Sequence, residues 1–387
     1  MSIFECRVSV MNKEKYIMSV TQKIYCAVIM LCLVTAVKSQ TREDYQTLGS
    51  SLDTQIPNRM KEKKVPGMAI AIFDKGEIVY QKGIGFANVA AKRTITEETG
   101  FNIGSISKLF TAWGVMKLVQ DGKIDLDTPV EEYITRWKIP SSTFDSKKVT
   151  VRALLSHTAG LSVHGYPGFR PRQKLPSLEA SLAGDNGDVR ADEPVELILE
   201  PRTKFQYSGG GYTVLQLMIE EVTGKPFARY MKETVFRPLD LQHTSFIIDK
   251  HVLQHTASPY DEEGKKIYME RFTATAAAGL HTTLEDMIKF TRASFNGNSV
   301  LKPETLAMMR QPDPITKGQY GLGYMTLKMG PVTVQGHAGS NDGWESGFLM
   351  DYNDKSGLII LTNGSLGKDV AIATLRQWAM WKTKASR

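Results

Sequence analysis

Ser105-Ile106-Ser107-Lys108 is the arrangement in this 387-residue chain that best suits covalent chemistry. On a helix, positions i and i+3 share a face, so the amine of Lys108 can reach the hydroxyl of Ser105. The helix N-terminus also favours negative charge developing there. A serine hydroxyl is a weak nucleophile until a base takes its proton, and a lysine can be that base once burial or a cationic neighbour lowers its pKa. The spacing recurs at Ser299 with Lys302 and at Ser365 with Lys368, so the four-residue pattern alone selects nothing. Two other signals point away from cofactor chemistry. His251 and His255 stand at i, i+4 but lack the Glu of a zinc-peptidase motif, so they read as exposed histidines and no metal is expected. Gly209, Gly210 and Gly211 lack the preceding strand that a phosphate loop needs, and no dinucleotide fingerprint is present.

What surrounds each copy separates them. Around Ser105 the chain reads FNIGSISKLFTAWGVMKLVQDGKIDLDTPV, and VTVRALLSHTAGL, YSGGGY, AAAGLHTTLEDMIKF and GHAGSNDGW follow in that order. Together these segments resemble the serine β-lactamase-related family, which includes class C β-lactamases, D-alanyl-D-alanine carboxypeptidases, D-aminopeptidases and related esterases. The resemblance implies that Ser105 is the acylated nucleophile, that Lys108 accepts or relays its proton, and that the Tyr207 phenol shuttles that proton to the leaving group. It further implies that His337 lines one wall of the cleft and that the backbone N–H groups of Ser105 and Ser340 hold the oxyanion. Gly339 would keep the strand free for a substrate to lie along it, or would serve packing. His157 is expected in a structural turn, and Tyr212 and Trp344 in either a pocket or the core. Two departures stand out. Gly209 occupies a position where many relatives carry an Asn that orients substrate and lysine, which weakens the case for efficient β-lactam hydrolysis. His337 replaces a permanently charged lysine, so recognition of a substrate carboxylate is expected to depend on pH.

These side chains need a frame. Residues 68–73 (MAIAIF) and 77–81 (EIVYQ) read as a hairpin through Asp74-Lys75-Gly76. Near the other end, 332–335, 347–352 and 358–362 are strand-like, with Asn353-Asp354-Lys355 as a turn and the His337 motif directly after the first of them. Between the ends the period is helical: Leu109, Trp113 and Met116 form a stripe below Ser105 that stops at Asp121-Gly122, and 151–156, 213–223, 226–233 and 284–290 follow. Residues 163–194 lack periodicity and read as a site-covering loop or an insertion. Neither terminal strand set is stable alone, and pairing them satisfies both. The expected fold is α/β (α+β): an antiparallel sheet from both chain ends, flanked by helices, with a mostly helical lobe inserted. The resemblance implies that this is the β-lactamase/transpeptidase-like architecture, with an α/β lobe over about 40–130 and 265–387 and a helical lobe over about 131–264.

Composition sets the compartment. Cys6, Cys26 and Cys32 all lie in the first 32 residues, beside an apolar run over 24–37 that follows Lys13, Lys15 and Lys23. That run is short of the roughly 20 residues of a membrane span and suits a secretory signal over 1–39, with an uncleaved anchor as its rival. Its removal takes every thiol with it, so the mature chain has neither disulfide nor cysteine nucleophile. The net charge of +7 is partly leader and is otherwise dispersed, which does not suit nucleic acid. The expectation is a secreted or periplasmic serine hydrolase, without cofactor or lasting membrane span. It would act on D-amino-acid peptides, cell-wall fragments or related small amides and esters. A class C-like β-lactamase and an esterase are the enzymatic alternatives, and a catalytically silent peptide- or wall-binding protein is the alternative of another class.

Overall fold

The computed structural model describes residues 44–185 and 193–385, so the expected leader over 1–39 and residues 186–192 of the long loop lie outside the described residues. The chain divides into two units. In the first, Met1–Leu48, residues 44–48 are helical; the second, Gly49–Arg387, carries everything below.

Seven strands form one antiparallel sheet in the order β3-β2-β1-β9-β8-β7-β6. They are β1 (Gly67–Asp74), β2 (Glu77–Asn88), β3 (Arg93–Thr94), β6 (Met325–Met329), β7 (Val332–Asn341), β8 (Trp344–Asp351) and β9 (Ser356–Thr362). The two chain ends meet where β1 pairs with β9, Ala69 opposite Leu361 and Ala71 opposite Ile359. This is the pairing that two marginal strand sets require. A second, two-stranded sheet joins β4 (Gly100–Asn102) to β5 (His281–Thr283).

Alternation decides what each face of the large sheet meets. Ala69, Ala71, Phe73, Phe348, Met350, Ile359 and Leu361 point into the main core. On that side lie α2 (Ile106–Gln120) and α9 (Leu284–Phe295), where Phe110 and Phe290 stack with centroids 4.1 Å apart. Leu349, Leu358 and Ile360 point the other way, toward the C-terminal helix α11 (Gly367–Ala385). A helix over 49–62, α1, precedes β1, and its Arg59 donates to Gln377 of α11. The intervening chain is mostly helical: α3 (Val151–Leu155), α4 (Leu178–Leu182), α5 (Gly209–Thr223), α6 (Phe227–Met231), α7 (Lys250–His255), α8 (Thr275–Ala278) and, after α9, α10 (Pro303–Arg310).

Three local expectations change. The stripe Leu109, Trp113, Met116 is buried, but so are Phe110, Ala112 and Val115, so burial of α2 extends well beyond that stripe and only Lys117, Val119 and Gln120 near its end are partly exposed. The strand expected over 332–335 continues to Asn341, which puts His337, Gly339 and Ser340 inside β7, not after it. Pairing with the apolar β8, His337 opposite Phe348 and Ser340 opposite Glu345, overrides a Gly-rich composition that by itself resembles a turn. The glycine run begins helix α5 instead of preceding it: Gly209 and Gly210 donate to the carbonyls of His164 and Val163, and Ser208 caps the helix by accepting from Gly211 at 2.9 Å.

Candidate active site

Strand β4 delivers the chain to the start of α2. Asn102 accepts from Gly104 N–H at 3.0 Å, and Ile103 N–H donates to Leu280, just past α8. Gly104 then turns with φ +49°, a region open to few L-residues, and a Cβ there would stand 2.6 Å from the backbone nitrogen of Ser340. Gly339 is equally constrained, since its Cβ would lie 2.0 Å from the Ile103 carbonyl oxygen. These two glycines let β7 press its backbone against the residues around Ser105. Gly339 therefore serves packing of the strand on the helix start, the second of the two expectations for it. Gly339→Ala should lower stability by about 2–3 kcal/mol, read as a lower urea midpoint. An unchanged midpoint would show that β7 can move away from α2 freely.

Ser105 is the first residue of this turn into the helix and is half-buried. Lys108, one turn on, is only 1% exposed, and its Nζ lies 3.1 Å from Ser105 Oγ while donating to the Ala277 carbonyl at 2.8 Å. That carbonyl belongs to α8, held in place by Gln216 of α5 and Thr111 of α2, which bond Ala276 N–H and C=O. Burial alone pulls the lysine down to about 7. Loss of hydration outweighs the contacts with Ser105 and Ala277, so the ammonium is disfavoured and a neutral fraction exists near pH 7.

Tyr207 comes from the other side. Its ring lies 5.0 Å from Lys108 Nζ and its hydroxyl is hydrogen-bonded to Ser105. Burial holds the phenol well above its ordinary range, an effect the bond to Ser105 only partly offsets. Tyr207 is thus held as a phenol, and Lys108 is the group of the pair depressed toward neutrality. His157 positions Tyr207. It sits in a left-handed turn after α3 with φ +56°, accepts Ser208 N–H on Nδ1 at 3.1 Å, and lays its ring 4.2 Å from the tyrosine ring.

His337 is buried, and its surroundings overturn the expectation of pH-dependent charge. Its Nε2 accepts from the fully buried Tyr320 hydroxyl at 2.9 Å while Nδ1–H donates to the Ala338 carbonyl. Burial, then the charge of Lys108, depresses it to about 3. A neutral imidazole lines the wall, not a cation. The position of Gly209 is also informative: a side chain there would start 3.0 Å from the His164 carbonyl oxygen, so it would press on the backbone of the long loop.

Ser105, Lys108, Tyr207, His337, Gly339 and Ser340 all line one cavity of about 670 Å³, bordered by residues 164–167 of the long loop. Tyr212 and Trp344 belong to the core: Tyr212 donates to the Leu155 carbonyl, and Trp344 packs on Phe101. His251 and His255 lie on α7, and among the described residues no group of His, Cys, Asp and Glu could hold a metal. No helix among them is long and apolar enough to cross a membrane. One lining residue carried no sequence signal. Glu345 accepts from Ser340 Oγ at 2.6 Å, and burial raises its carboxyl to about 7. Only the pairing of β7 with β8 puts it beside Ser340.

The sequence model of the Beta-lactamase family matches residues 52–379. Protein flp of Staphylococcus aureus (strain COL) is 24% identical over 320 residues, spanning 81% of this chain, which covers 62% of that protein's length. The putative penicillin-binding protein PbpX of Bacillus subtilis (strain 168) is 26% identical, over 84% of this chain and 76% of its own. Among solved structures, the octameric penicillin-binding protein homologue from Pyrococcus abyssi superposes with a TM-score of 0.66 at 28% identity, covering 82% of this chain and 74% of that one. SurE does so with 0.70 at 23% identity, covering 88% and 76%, a likeness of fold alone.

Proposed function

Because the chain belongs to the Beta-lactamase family, we propose that it is a serine hydrolase that forms an acyl-enzyme on Ser105 and cleaves small esters and amides, D-amino-acid peptides among them. The carrying observation is the 3.1 Å contact between Ser105 Oγ and an amine depressed to about 7. Neutral Lys108 takes the hydroxyl proton as Oγ forms its bond to the acyl carbon. The oxyanion gathers its charge beside the N-terminus of α2 and the Ser340 backbone. As the bond to the leaving group breaks, the Tyr207 phenol gives that group a proton and recovers one from Lys108. Water then attacks the ester on Ser105, with the same lysine as base.

The neutral His337 removes the cation that recognition of a free carboxylate relied on, and Gly209 removes the orienting amide. Both favour p-nitrophenyl esters over nitrocefin as substrates, so the β-lactamase alternative is the weaker one. Export remains part of this proposal, resting on the charged and apolar pattern of the first 40 residues.

Intact-mass detection of a covalent adduct after a fluorophosphonate, penicillins and short esters tests the reading, with peptide mapping to the segment holding Ser105 as the expected result. An adduct mapped elsewhere overturns it. The pH profile is a second check. If Lys108 must be neutral, kcat/KM rises with pH through about 7 and levels above it. Glu345 titrates in the same range, so Glu345→Gln should leave the midpoint of that rise in place; a midpoint that moves away would assign it to the carboxyl instead.

A further inference from the structure

The cavity does not end at Ser105. Beyond Ala338 it runs between the outer face of the sheet and α11, where Leu349, Leu358 and Ile360 face Ile372 and Leu375. Leu327, Ile372 and Leu375 also line a second space of about 890 Å³, which continues past Met329 and Pro331 to Ala379 and Met380. The two spaces meet at Leu327, Ile372 and Leu375, so an apolar lining runs from the Ser105 hydroxyl toward the surface, where Leu327, Ile372 and Met380 are exposed.

The sheet is shaped to leave this room. Gly347 in β8 lies between Ala338 of β7 and Ile360 of β9, and a Cβ on it would meet nothing within 4 Å. On β6, Met325, Leu327 and Met329 follow one another on one face. Four residue steps of about 3.3 Å carry that face over about 13 Å, the length of an acyl chain of roughly ten carbons. On α11, Ala371, Ile372, Leu375, Ala379 and Met380 repeat at helical spacing along the opposite wall. The walls are aliphatic, with Arg376, Thr383 and Lys384 among the few polar residues of the far space. A peptide drawn through it would leave backbone groups unpaired, whereas an alkyl chain has none to satisfy.

We propose that this groove holds the linear apolar acyl chain of the substrate, making the protein a hydrolase of medium- to long-chain acyl esters. The proposal rests on the acyl-enzyme reading above for its reaction: Ser105 Oγ takes the acyl carbon, the leaving alcohol departs with a proton, and water releases the carboxylic acid. The groove itself is testable without turnover.

The experiment compares p-nitrophenyl acetate, butyrate, octanoate and decanoate, and in parallel titrates the fluorescent polyene acid cis-parinarate into the wild type and Ser105→Ala. Expected is a rise in kcat/KM with chain length, up to about fourfold per methylene. Gly347→Leu, which fills the groove near the serine, and Ile372→Glu, which puts a charge at its exposed end, should each bring the decanoate-to-acetate ratio down toward one and abolish cis-parinarate binding. Ile372→Glu, at an exposed position, keeps the test valid if Gly347→Leu does not fold. A flat wild-type profile, or cis-parinarate that fails to bind or binds the variants equally, overturns the proposal. In that case a change of sedimentation in Ile372→Glu would assign the apolar face to a second copy of the chain. Groove-dependent cis-parinarate binding without turnover of any ester would instead leave the groove standing and sink the hydrolase reading.

Discussion

Ser105→Ala should take no covalent label from a fluorophosphonate and should lose ester hydrolysis by about 10⁴-fold or more, because removing a nucleophile removes the whole covalent route. The loss should come without a loss of fold. The Ser105 side chain is half-buried and touches Lys108 and Tyr207, whereas the turn that presents it is held by Gly104, Ile103 and Ser107. Ser107, the other serine of the motif, is the useful contrast. It is fully buried, donates to the Gly104 carbonyl at 2.6 Å and accepts Leu280 N–H, so Ser107→Ala should cost stability instead of labelling. Retained labelling in Ser105→Ala would move the nucleophile elsewhere and end the mechanism.

Lys108→Met should lower kcat/KM by about 10³-fold, within the range that general-base catalysis supplies. Lys108→Arg should not restore it, since a guanidinium does not give up its proton. The stability readout runs the other way. The lysine pKa falls from 10.5 in the open chain to about 7 in the folded protein. Below pH 7 both states carry the proton, and the folded state bears the full cost of a buried ammonium. Between about 7 and 10.5 the unfolded chain binds more protons, so the cost is relieved and wild-type stability gains with rising pH. Relative to the wild type, Lys108→Met is therefore most stable below pH 7, and its advantage shrinks toward pH 10. Urea midpoints across that range measure it. A wild-type-to-variant difference independent of pH would mean that the amine keeps its ordinary pKa, and the base would have to be sought elsewhere.

Legibility in the sequence followed the range of the forces involved. The hairpin of β1 and β2, the turn at Asn353-Asp354-Lys355 and the helix below Ser105 rest on period and turn chemistry within a few residues, and they form where those signals stand. The strand ends at 335 in a local reading because Gly336-His337-Ala338-Gly339 resembles a turn; β8, lying alongside, extends it. Helix α11 forms one wall of the proposed groove, and its place against β7, β8 and β9 is set by tertiary contacts with those strands.

By itself the sequence determined which side chains could react. A hydroxyl and an amine three residues apart must share a helix face, and the segments around them, with Tyr207 and the His337 strand, identify the kind of site to which they belong. Tertiary structure alone decided what state those groups are in and what surrounds them. The depressed amine of Lys108, the neutral imidazole of His337, the raised carboxyl of Glu345 and the apolar groove under α11 all depend on burial by residues distant in the chain. Solvation and empty volume are properties of the packed molecule, and no run of neighbouring residues encodes either one.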